Sequence, residues 1–126
     1  MTARAVADLA TAEAQLELAR TLSRTGRSDE ALAIAAAVDR QAKATQDTAL
    51  ECRSMTAAAW YCLQIGDSEQ GLGYARAATE IARRLGDTAA EAKAQSIQAW
   101  MLTEIGRAEE GIDEAILALR LAESAG

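Results

Sequence analysis

Along this chain the apolar positions never settle into the two-residue alternation of a half-buried strand. Val, Ile, Tyr and Thr do not alternate with polar residues over any useful length. The apolar residues fall instead in stretches of about eighteen that end at glycine, and no proline interrupts them. The pattern predicts helices at 47–65, 68–85, 87–105 and 108–124, with the same arrangement more weakly marked before them. Asp47 and Asp87 are the expected N-caps of two of these helices; Ser68, and Asp29 or Ser28, are expected to cap two others. Gly66, Gly86 and Gly106 are the expected stops, since glycine enters the left-handed conformation without a Cβ penalty. Turns this short force antiparallel neighbours.

The helices recur. Residues 47–86 laid on 87–126 without gaps agree at fourteen of forty positions, among them Asp47/Asp87, Ala59/Ala99, Trp60/Trp100, Gly66/Gly106, Gly71/Gly111 and Gly86/Gly126. Residues 7–46 follow the same frame through Ala19, Gly26, Leu32 and Ala35. A period of this length is the mark of a solenoid of helix pairs. The expected fold is therefore all-α: one domain, 1–126, with repeats at about 7–46, 47–86 and 87–126. Within it, Ala19/Ala59/Ala99 and Ala31/Gly71/Gly111 are small residues at matched places on the first and second helices. A glycine inside a helix costs about 1 kcal/mol against alanine. Its recurrence at 71 and 111 implies that two backbones approach closely there, with Ala35/Ala75/Ala115 and Val38/Ala78/Ala118 below.

Composition and charge narrow the function. Half of the 126 residues are hydrophobic, yet aromatics are 3% and Phe is absent, so alanine carries much of the core. The absence of His removes the commonest general base and metal ligand. No glycine-rich phosphate loop follows a strand. Glu109, Glu110, Asp113 and Glu114 form the densest acidic cluster, which reads as a solvated first turn favoured by the helix dipole. It offers too few oxygens for a divalent cation. No catalytic residue, cofactor or metal is expected. The net charge of −6, with Arg83-Arg84 as the one adjacent basic pair, gives no basic stripe for nucleic acid. The charge is uneven: residues 1–46 are neutral overall, 47–86 carry −1 and 87–126 carry −5. Cys52 and Cys62 lie ten residues apart on one helix, about 15 Å by helical rise, so they cannot bridge each other. Reduced thiols, no apolar leader and no membrane-length apolar run point to a cytoplasmic protein.

The set of small residues at 19, 59 and 99, turn glycines at 26, 66 and 106, and the starts Glu30-Ala31-Leu32, Gln70-Gly71-Leu72 and Glu110-Gly111-Ile112 resembles the tetratricopeptide repeat family. The likeness covers nearly the whole chain. It departs in its period, about 40 rather than 34, in lacking the closing proline, and in replacing most large aromatics. The longer period is similar to variant repeats of kinesin light chains and bacterial regulators. The alanine-rich stretch ATEIARRLGDTAAEAKA is similar to N-terminal repeat domains of bacterial diguanylate cyclases and transcriptional activators.

The resemblance implies a right-handed α-solenoid of three helix-turn-helix repeats, six antiparallel helices, whose first helices line a concave groove for a protein or peptide. The groove residues it implies are Arg20, Arg24, Arg53, Thr56, Trp60, Gln64, Lys93, Ser96, Trp100 and Thr103, with Glu13, Leu16, Ser23, Leu63 and Glu104 on the same faces. Two placements are open for the indoles: an anchor surface rimmed by cations, or packing between helices. The Asn-and-Lys set by which chaperone-binding members hold a C-terminal carboxylate is absent at these positions. The function expected is a non-catalytic protein- or peptide-binding module, the regulatory N-terminal part of a longer bacterial signalling protein. The alternatives are a self-association element and a small-ligand or peptide sensor. On the last helix Ile112, Ile116 and Leu119 are expected to be left uncovered, either met by chain beyond Gly126 or forming a homodimer about a two-fold axis.

Overall fold

The computed structural model describes residues 2–125, which form six helices: α1 (Ala3–Arg24), α2 (Ser28–Ala44), α3 (Thr48–Ile65), α4 (Ser68–Leu85), α5 (Thr88–Glu104) and α6 (Ala108–Ala125). Each packs antiparallel on its neighbour in sequence. The remaining contacts join α1 to α3 and α3 to α5, which sets the odd-numbered helices side by side along one face. No helix among the described residues is long and apolar enough to cross a membrane.

Caps and turns explain the boundaries. Asp47 and Asp87 accept from the amides of Leu50 and Ala90, as expected of N-caps. At α4 the cap is Asp67, which accepts from Gln70 N, and Ser68 is already inside the helix. At α2 neither Ser28 nor Asp29 caps: Arg27 holds the cap position with no side-chain bond there. Arg27 instead forks onto Glu30 (2.5 and 2.7 Å), and the aligned Arg107 forks onto Glu110 (2.8 and 2.7 Å). These bonds hold both carboxyls below their usual range. The guanidinium is thus drawn to the first-turn carboxylate where an aspartate would have capped the amides.

All five turns between helices close in one way. A backbone amide just past each helix reaches back five residues: Arg27 to Leu22, Asp47 to Ala42, Asp67 to Cys62, Asp87 to Ala82 and Arg107 to Leu102, at 2.8–3.0 Å. This closure needs a left-handed residue one place earlier. Four turns supply glycine there; the α2–α3 turn supplies Gln46, at φ +57°. Left-handed backbone costs a residue with a Cβ about 1–2 kcal/mol. Gln46→Gly is therefore expected to raise stability by about 0.5–1 kcal/mol, after glycine's greater unfolded-state freedom is discounted, read as a higher urea midpoint at unchanged slope.

The core is built of small residues. Ala19, Ala35, Ala59, Ala75 and Ala78 are fully buried, and Met101, Leu102, Val38 and Cys62 are the larger side chains that fill the space between them. Gly111 is where the sequence pattern implied close approach. A Cβ there would stand 2.8 Å from the carbonyl oxygen of Ala99 and 2.5 Å from Thr103 Oγ1. Gly71 is crowded differently, by Cys62 Cβ at 2.9 Å and by the end of Met101 on α5. Ala115 departs from the frame. It aligns with the fully buried Ala75 but is exposed, because α4 lies between α3 and α5 whereas α6 is packed on α5 alone.

Candidate binding groove

The odd-numbered helices line a concavity of about 930 Å³ on the face they share. A forty-residue period brings each position of α3 beside its counterpart on α5, so Trp60 and Trp100 meet edge to face, ring centroids 5.8 Å apart and planes at 76°. The indoles do not pack away between helices: Trp60 is 38% and Trp100 50% exposed. Trp100 Nε1 donates to Glu104, one turn along, at 3.3 Å.

Nine of the ten residues expected in the groove line it: Arg20 and Arg24 from α1, Arg53, Thr56, Trp60 and Gln64 from α3, and Lys93, Ser96 and Trp100 from α5. Glu13, Leu16 and Ser23 also line it. Thr103 does not. It lies on the α6 side of α5, with Oγ1 donating to Ala99 O (3.1 Å) and standing over Gly111. Its counterpart Leu63 turns to the core for the same reason. The expected face was therefore too wide on that side. On the other side it was too narrow, since Tyr61 and Ile97 are buried in the floor beside the tryptophans.

The groove is rich in hydrogen-bond donors. Arg53 is held by Glu13 across from α1 at 2.6 Å, and Arg20 lies 3.9 Å from Glu17 on its own helix. Among the described residues Arg24 and Lys93 form no ion pair. Gln64 is anchored through its carbonyl, which accepts from Ser28 Oγ (2.6 Å) and from Ser23 Oγ, leaving its amide nitrogen without a partner among the described residues. Thr56 is internally satisfied, donating to Cys52 O at 2.8 Å. Burial raises the Tyr61 hydroxyl above its ordinary pKa, and the Arg20 charge only partly offsets this.

The cysteines are free and buried. Burial raises the Cys52 thiol and pushes Cys62 up to about 11, so both remain protonated near neutral pH and are poor nucleophiles. On α6 the acidic cluster is dispersed: Glu110 is taken by Arg107, and Glu114 accepts from Gln95 Nε2 at 2.7 Å. Compared with known proteins, the chain matches no family model and no curated protein significantly.

Proposed function

We propose that this chain is a non-catalytic binding module, a right-handed α-solenoid of three tetratricopeptide-like repeats that takes a protein or peptide segment into the α1–α3–α5 groove. The observation that carries the reading is the exposed Trp60–Trp100 pair set among cations in a concavity. Two large aromatics held in contact by neighbouring helices lose little conformational entropy on binding, and Trp and Arg are the residues most often found as interface hot spots. The inventory supports a non-catalytic role: there is no His, and the two thiols are buried and protonated. The likeness of the repeats to those of bacterial signalling proteins favours a regulatory role in a longer polypeptide.

The test has two steps. Native fluorescence should be red-shifted and readily quenched by acrylamide. Peptides selected against the chain from a displayed random library should shift that emission on binding. They should lose affinity by about 30-fold or more, a hot-spot loss of about 2 kcal/mol, in Trp100→Ala while its helical circular dichroism persists. A blue-shifted, protected emission, or selected peptides indifferent to both Trp60→Ala and Trp100→Ala, would remove the groove as the binding surface.

A further inference from the structure

We infer that the groove of one copy receives the outer face of α6 from a second copy, so that the chain associates head to tail. The inference rests on the groove being a binding surface and names its occupant. Ile112, Ile116 and Leu119 recur at i, i+4 and i+7, on one face of α6, and are 58%, 44% and 61% exposed. Glu109 and Glu123 fall beside that stripe by the same helical spacing, with Asp113 at its edge. These three carboxylates form no ion pair among the described residues. The helix as a whole carries five carboxylates against the single Arg120. An acidic helix with an uncovered apolar stripe is thus one half of a complementary pair.

The groove is the other half. Its lining presents Trp60, Trp100 and Leu16 to an apolar stripe. Of its two carboxylates Glu13 is taken by Arg53 and Glu17 lies 3.9 Å from Arg20, so four cations stand against two carboxylates, and Arg24 and Lys93, without an ion pair among the described residues, present charge of opposite sign to the carboxylates flanking the stripe. Complementary potentials of this kind set which surfaces meet and in what register. The α6 of the same copy is not seated there: it packs on α5 alone and touches neither α1 nor α3. The occupant in this arrangement is therefore another copy. A symmetric α6-to-α6 dimer is the less favourable arrangement, because it sets one row of carboxylates against an identical row. A head-to-tail contact leaves a free groove at one end and a free α6 at the other, so it propagates unless it closes into a ring.

Light scattering of the 126-residue chain should show a mass that rises past the dimer as concentration approaches the high micromolar range. Ile116→Glu and the double substitution Arg20→Glu/Arg24→Glu should each weaken association at least tenfold. All three positions are exposed, so the fold should persist, with helical circular dichroism as the check. The decisive arm mixes the two variants. One retains a working groove and the other a working helix, so together they should form a one-to-one dimer that grows no further. A wild-type chain that stays monomeric, a groove variant that associates like wild type, or a mixture no more associated than its components would each overturn the inference. The library-selected peptides separate the two readings, because they bind or fail to bind the groove whatever the copies do to each other.

Discussion

Gly111→Ala is expected to destabilise the fold by about 1–3 kcal/mol, although alanine is the better helix former by about 1 kcal/mol. The sign is decided by what the new methyl would meet. Thr103 Oγ1, at 2.5 Å, could rotate aside; the carbonyl oxygen of Ala99, at 2.8 Å, is backbone and moves only if α5 and α6 separate. Separation would be felt along the whole contact, since close-packed interiors transmit strain. Gly111→Leu should cost at least as much. Gly73 is the internal control: it also lies within a helix, α4, but has nothing within 4 Å of where its Cβ would stand. Gly73→Ala should therefore stabilise by about 0.5–1 kcal/mol, through propensity alone. Urea unfolding followed by circular dichroism reads both. Equal responses at the two glycines would mean that α5 and α6 do not approach closely at Gly111.

That contrast also marks what the sequence could reveal. Gly71 and Gly111 were legible as close-approach positions because they recur at one place in the repeat, whereas Gly73 has no counterpart, Asp113 standing at that place. Helix extents were legible for a similar reason, through turn glycines and capping aspartates at matched positions. They failed where chemistry changed under a constant frame. Positions 27, 67 and 107 hold Arg, Asp and Arg, and only the aspartate caps. Position 46 takes the left-handed turn without a glycine to announce it. In the groove, register along the helices could be read but rotation about them could not. A residue one place round the helix from Trp100 is either floor or core, and packing against α6 decides which. Thr103 and Leu63 face away from the groove, and Tyr61 lines it, for that reason. The exposure of the two indoles depends on the same rotation, which is why the residues alone left both placements open.

The second large effect is expected next door to Trp100. Met101 is fully buried where α5 meets α3 and α4, packed with Cys62, Leu72 and Ile97. Met101→Ala should cost about 2–5 kcal/mol, from lost transfer energy and the cavity left behind. Trp100→Ala, at a half-exposed ring, should cost much less stability while removing the groove's anchor. The Met101 side chain also occupies the space that an alanine at position 71 would need: its Cε lies 2.5 Å and its Sδ 3.0 Å from that would-be Cβ. Gly71→Ala alone should therefore destabilise, since Cys62 Cβ at 2.9 Å blocks the other side and sits on its own helix, unable to swing away. In the Met101→Ala background half of that obstruction is gone, and the new methyl fills part of the cavity. The two substitutions should then be less than additive, with a coupling of about 0.5–3 kcal/mol toward stability, the size measured for residues in direct contact. A double-mutant cycle in urea provides the number. Strict additivity would mean that α4 does not rest on Met101, and that Gly71 is retained for its contact with Cys62 alone.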